Sequence, residues 1–224
     1  MRYFSTRDKN LNFSFKDIFL RGLAPDGGLF IPSELKKYND TEIKDLSKLS
    51  YVDLATEIIL NFCKSDLDKS RLKLLIQKSY KDFIHPEVVN IKKIGKINIL
   101  ELYNGPTLAF KDIAMQVIGN LYEELNISQE KVINIVVATS GDTGSAAIAA
   151  LNNRKNINVF VLHPNNKISN IQRKIMTTID SNNVFNLAIK GTFDDCQKIV
   201  KEMFSENKFR EKINMSGVNS INWA

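Results

Sequence analysis

The sequence is poor in several of the residues that announce a chemistry. It has two cysteines in 224 residues, Cys63 and Cys196, far apart and without CxxC spacing. That excludes a disulfide scaffold and reads as two buried thiols rather than a disulfide or metal pair. Its two histidines, His85 and His163, read as loop residues rather than catalysts. No apolar run approaches the ~20 residues of a membrane span; stretches such as Ile135–Ala138 are strand-sized. The first residues, Met1 to Asp8, lack the apolar core of a secretion signal. The nucleotide-binding patterns GxxxxGK[ST] and GxGxxG are both absent. A cytoplasmic protein that neither spans nor docks on a membrane is the expectation.

What is present is ordinary for a globular protein: 43% hydrophobic residues and 25% charged, which excludes disorder as the main state. The length fits one sizeable domain or two small ones. The net charge is +6, but it is spread evenly. Residues 1–85 carry 15 Lys and Arg against 12 Asp and Glu, and residues 86–224 carry 16 against 13, so each part is +3. No basic tail stands out, and pairs such as Lys36-Lys37 and Lys92-Lys93 are not interleaved with aromatics, so a nucleic-acid footprint is not expected. A mild positive field suits an anionic small substrate.

The chain changes rhythm near His85-Pro86, which predicts a mostly helical domain over 1–85 and an α/β domain over 86–224. In the first, Ser14 and Asp17 form a capping pattern, Phe15, Ile18 and Phe19 share a helical face, and Gly22 ends the helix. Ala24–Gly28 is a turn cluster before the short apolar Leu29–Ile31. A second helix opens at Ser50, with Tyr51, Leu54, Ala55, Ile58, Ile59 and Phe62 at a 3.6-residue period. A third covers about 68–83, with Leu72, Leu75, Ile76 and Phe83 inward. Beyond Pro86, strands are predicted over 97–103, 132–139, 158–162 and 184–189, alternating with helices over 110–125, 144–151, 169–179 and 193–204. Unbroken apolar strands alternating with helices imply a parallel sheet covered on both faces. About four strands make a small sheet, so the chain is expected to be a portion of something longer, incomplete at its C-terminus.

Open α/β sheets bind ligands beyond the carboxyl ends of their strands, which directs attention to two loops. Ser140-Gly141-Asp142-Thr143-Gly144 follows a buried strand and precedes a helix rich in Ala and Ser. Glycines let a ligand approach the backbone, and free N–H groups with the helix dipole favour an anion. The simpler alternative is a tight turn with Asp142 or Thr143 as N-cap. The other loop, Asn104 to Asp112, places Lys111 in the first turn of an amphipathic helix. The positive end of the dipole disfavours a cation there, and desolvation by Leu108, Ala109 and Phe110 adds to the effect. An amine kept neutral in this way suits attack on an aldehyde to form a Schiff base. Taken alone, Lys111 reads more simply as a surface lysine paired with Asp112.

Together, a Schiff-base lysine and an anion-binding glycine loop describe a pyridoxal-phosphate site for an amino-acid substrate. Gly105–Asp112 and Ala138–Ala147 resemble the two signature loops of threonine synthases, fold-type-II enzymes related in fold to the tryptophan synthase β chain. The resemblance continues through Ser5-Thr6-Arg7, Leu20–Leu29, Ser169 with Gln172 and Met176-Thr177-Thr178, Gly191–Asp195 and Val218–Ala224. It implies a small, mostly helical N-terminal domain followed by part of a three-layer parallel-sheet domain. It also implies a lyase converting O-phospho-L-homoserine and water into L-threonine and phosphate, with pyridoxal 5'-phosphate as cofactor. Lys111 would hold the cofactor covalently and move protons at the substrate carbons. Ser140, Gly141, Asp142, Thr143 and Gly144 would hold the substrate carboxylate, with Asp142 also near the cofactor ring. The family's glycine-rich phosphate cup and its pyridine-nitrogen partner would lie beyond residue 224. His163–Lys167 departs from the family pattern and is given no role, only a proline turn after a strand. Two further readings stay open: another lyase of the same fold, such as a serine/threonine dehydratase, and a non-catalytic module binding phosphorylated metabolites or a partner chain.

Overall fold

The computed structural model describes residues 1–126 and 131–218. They fall into two compact units, Met1–Gly105 and the chain from Pro106 onward. The stretch Val218–Ala224, apart from Val218, lies outside the described residues.

The first unit opens with β1 (Tyr3–Ser5), α1 (Phe15–Arg21) and β2 (Phe30–Pro32). Ser14 and Asp17 cap α1 reciprocally, and Gly22, at φ 75°, ends it. Phe15, Ile18 and Phe19 are its buried face, as their spacing predicts. β1 and β2 pair antiparallel over three residues each, too short for periodicity to reveal. Their pairing joins two stretches far apart in sequence. Ser5 Oγ donates to Asp26 Oδ1 (2.7 Å), and Arg7 donates to the Asp26 carbonyl (2.8 Å). Gly28 must be glycine here, because a Cβ would fall 2.2 Å from Ser5 Oγ.

Three helices follow: α2 (Asp40–Leu46), α3 (Tyr51–Cys63) and α4 (Lys69–Tyr80). α2 has no buried residue, and an apolar stripe could not have announced it; its signature is the reciprocal cap of Asn39 and Glu42. Ser50 caps α3 as its sequence predicts, but the expected apolar stripe is only half-buried all along. The residues that close off fully are the small Thr56 and Cys63, whose side chains donate to carbonyls four residues back. α4 buries Leu72, Leu75 and Ile76 as expected.

The unit ends in β3 (Asn90–Ile94) and β4 (Ile97–Glu101), an antiparallel hairpin. This corrects the expectation that the strand near 97–103 belongs to the parallel sheet. Ile94 pairs with Ile97 across Gly95, at φ 59°, and Lys96, so the chain turns straight back on itself. A parallel neighbour would need a long crossover, and a two-residue turn with positive φ permits only an antiparallel one.

The second unit contains α5 (Asp112–Asn126), β5 (Ile133–Ala138), α6 (Asp142–Leu151), β6 (Ile157–Pro164), α7 (Asn170–Thr177) and β7 (Val184–Ile189). It closes with α8 (Phe193–Ser205), α9 (Asn207–Lys212) and β8 (Met215–Gly217). The strands are all parallel, in the order β7-β6-β5-β8. On one sheet face Val136, Ala138, Phe160 and Leu162 pack under Cys196, Ile199, Val200 and Met203 of α8. The alternate residues Ile135, Val137, Val159 and Val161 are fully buried on the other. Sequence reasoning did not foresee α9 or β8, which are too short to carry a period. His163 is a buried strand residue at the end of β6, not the loop residue expected. Pro164 also ends that strand, and the predicted turn follows at Asn165-Asn166.

The strand order reverses at β5. Succession runs outward through β6 and β7, then returns to place β8 on the opposite side of β5. Such a reversal opens a crevice beyond the carboxyl ends of the strands that flank it. Tyr122 of α5 secures β8 through a buried 2.8 Å hydrogen bond with Ser216 Oγ. α5 and α6 approach so closely that a Cβ on Gly119 would fall 2.6 Å from the Ala150 carbonyl oxygen. Gly119→Ala is therefore expected to lower the unfolding free energy by about 1–3 kcal/mol. Urea denaturation checks this, and an unchanged midpoint would mean that the two helices are free to separate.

Candidate active site

The turn leaving β5 is shaped by Thr139. Its buried hydroxyl accepts hydrogen bonds from Gly141 N (2.9 Å) and Gly144 N (2.8 Å), folding the backbone around one oxygen. Gly141 then takes φ 139°, a conformation open essentially to glycine alone. A Cβ there would lie 2.3 Å from the Gln172 side chain, and one on Gly144 would lie 2.5 Å from Thr139 Cγ2. Both glycines are buried, Thr143 is half-buried, and Ser140 and Asp142 face outward.

Gly141 itself caps α6 and offers no side chain to its N–H groups. The sequence alternative of Asp142 or Thr143 as N-cap is thus corrected: both lie inside the first turn. Among the described residues the Asp142 and Thr143 N–H groups have no hydrogen-bond acceptor. The helix dipole adds positive potential at these amides, an arrangement chemically suited to an anion.

Lys111 sits one residue before α5, where its carbonyl accepts from Met115 N (2.9 Å). It precedes the helix, one residue ahead of the first turn in which its sequence pattern places it. The side chain is half-buried, with Nζ 5.0 Å from the centroid of the Phe110 ring. Leu108 and Phe110 are themselves 61% and 54% exposed, so they do not enclose the amine as their apolar character implied. Leu108 adopts φ 60°, a left-handed conformation costing a non-glycine residue about 1–2 kcal/mol.

Asp112 turns away from Lys111. Its fully buried carboxylate accepts from Thr107 N and Thr107 Oγ1, both at 2.8 Å. Among the described residues no ion pair joins it to Lys111, against the simpler sequence alternative. Burial pushes the Asp112 carboxyl above the ordinary aspartate range, and the negative charge of Asp142 adds to the rise. The two loops are therefore within electrostatic reach of one another.

Sequence reasoning assigned no site role to Thr139, Thr107 or Gln172. Thr139 follows β5, two residues before Gly141, and Thr107 follows Gly105-Pro106, which is a signal for hydroxyl-braced turns. Gln172 lies on α7, and its Nε2 donates to Asp142 Oδ1. Nothing local could have revealed that contact across 30 residues. His85 does occupy a turn, where its Nδ1 accepts from Glu87 N (3.1 Å).

Comparison with known proteins gives a consistent result. Residues 2–80 match the family described as threonine synthase N terminus. Over 99% of its length the chain is 43% identical to a threonine synthase of Schizosaccharomyces pombe and 44% identical to one of Saccharomyces cerevisiae. It covers 45% and 46% of those proteins, so it spans about half the length of the curated relatives it matches. Among solved structures it superposes on a pyridoxal-phosphate-bound threonine synthase from Brucella melitensis with TM-score 0.89 and 39% identity. That match covers 100% of this chain and 48% of the other. The yeast threonine synthase structure gives TM-score 0.88 at 42% identity, covering 99% and 46%.

The Asp112 geometry makes a pH prediction. Its folded carboxyl titrates above the ordinary value of 3.8, so between those two values the folded state holds the extra proton. Stability contributed by this site therefore falls as pH rises through that window and levels off above it. Asp112→Asn should remove this slope. Urea unfolding of both proteins at stepped pH checks it, the expected sign being a wild-type stability that declines relative to the variant with rising pH.

Proposed function

We propose that this chain, similar along its whole length to threonine synthases, carries the lysine-bearing part of a threonine synthase active site. The reaction would be conversion of O-phospho-L-homoserine and water to L-threonine and phosphate. The observation that carries this reading is that, among the described residues, Lys111 has no ion pair and the Asp142 and Thr143 amides of the nearby turn have no acceptor, while the loop of Lys111 lies within electrostatic reach of that turn through Asp112 and Asp142. The turn at 140–144 follows β5, the strand at which the sheet order reverses.

The residues present fit pyridoxal 5'-phosphate. Lys111 Nζ, relieved of its acidic neighbour by Thr107, is the nitrogen that would bond the cofactor aldehyde. The cofactor supplies the electron sink that stabilises a substrate carbanion. The chain's own part is to bind and orient. The Asp142 and Thr143 N–H groups and the Ser140 and Thr143 hydroxyls would grip the substrate carboxylate. Gly141 and Gly144 keep the backbone bare enough for that approach. Lys111 Nζ would also serve as the base that accepts and returns a proton at the substrate carbons. Asp142, outward and held by Gln172, is the acidic group available to the cofactor ring. The match of residues 2–80 to a threonine synthase N terminus supports this substrate over that of a serine/threonine dehydratase. Cys63 and Cys196 are buried free thiols, which supports a reducing, cytoplasmic setting.

Borohydride reduction after addition of pyridoxal phosphate, followed by peptide mapping, tests the assignment. The label is expected on Lys111 and is expected to vanish in Lys111→Ala. In a holoenzyme containing this segment, the same substitution should cost about 100-fold or more in turnover. A folded chain that takes no label would favour a non-catalytic binding module.

A further inference from the structure

Gln172 belongs to α7, yet its side chain lies on the turn that opens α6. Its Nε2 donates to Asp142 Oδ1, and its amide stands where a Cβ on Gly141 would fall. The side chain is itself held: Ser169 Oγ donates to Gln172 Oε1 (3.0 Å) and accepts from Gln172 N (3.2 Å). One residue turn further on, Met176 fills the space beside Gly144, 2.9 Å from where a Cβ would stand. α7 is thus fitted against the turn at two points.

The need for such a fitting follows from Asp142 itself. A carboxylate in the first turn of a helix is drawn by the helix dipole toward that turn's free N–H groups, for which its oxygens compete. Here that would fill the anion seat from within. We propose that Gln172 is the positioning residue of this site: by binding the Asp142 carboxylate from outside the helix, it keeps the Asp142 and Thr143 amides open for an external carboxylate. The inference rests on the reading of the 140–144 turn as the seat of the substrate, and it adds a residue that does not itself touch substrate. Gln is suited to the task because its amide donates to a carboxylate without adding a charge that would compete for the seat.

The test uses the cofactor-free chain and reads backbone amide exchange with solvent by NMR. In Gln172→Met, which keeps length but cannot donate, the freed carboxylate should fall onto its own helix and slow exchange at Asp142 and Thr143 about tenfold. A plain structural brace predicts the opposite, faster exchange throughout residues 139–145. The combination of Gln172→Glu with Asp142→Asn exchanges donor and acceptor, re-forms the contact in reverse and should return exchange at 142 and 143 to the wild-type rate. Unchanged or faster exchange in Gln172→Met overturns the proposal, as does failure of the paired substitution to restore the rate when amides of β5 and β6 report a native fold. Exchange is read without cofactor, so a negative result here leaves the Lys111 assignment standing. Failure of Lys111 to take the borohydride label would leave this result standing in turn.

Discussion

The reversal of strand order at β5 is the constraint from which the rest of the second unit follows. Once β8 takes the side of β5 opposite β6, the loop leaving β5 cannot be covered by a crossover to an adjacent strand on both sides. That placement is held by a buried bond, Tyr122 to Ser216, and by the three-residue pairing of β8 with β5. The turn at 139–144 therefore leaves β5 at the position where open α/β sheets place their ligand crevice. A longer β8 was not required to achieve this; a short strand in the right position was enough.

Both loops of the candidate site use the same economy of construction. In each, a threonine satisfies the internal polar groups, and the outward groups are left over. Thr107 occupies the Asp112 carboxylate through N–H and hydroxyl, and among the described residues no ion pair joins that carboxylate to Lys111. Thr139 occupies the Gly141 and Gly144 amides, and the Asp142 and Thr143 amides between them have no acceptor among the described residues. Burial makes these internal bonds difficult to exchange for water, because a buried carboxylate or hydroxyl without a partner is costly. Rigid turns with unsatisfied outward groups are what a small polar substrate needs from its site.

The two units differ in how far their sequences speak for them. In the second, β7 appears over the residues its apolar run predicts, and β5, β6, α6 and α8 lie within a few residues of their expected bounds. Those elements are long, and their patterns repeat. In the first, α1 and α4 announce themselves by caps and stripes, whereas β1, β2 and α2 do not. Three-residue strands and a helix without a buried face give a periodicity argument nothing to measure. The strand at 97–101 was legible as a strand but not as half of a hairpin, because its partner β3 is dominated by Lys92 and Lys93 and does not read as apolar.

Local pattern by itself determined the α/β class of the second unit and singled out the two loops of the candidate site, with Lys111 as a candidate amine. These depend on neighbours within a few residues, where caps, periods and glycine spacing act. Only the tertiary structure decided which strand lies beside which, that Asp112 is buried away from Lys111, and that Gln172 reaches Asp142 from another helix. Each of those is a contact between segments whose separation in sequence carries no information about their separation in space, since burial and side-chain partnership arise only when the chain is packed.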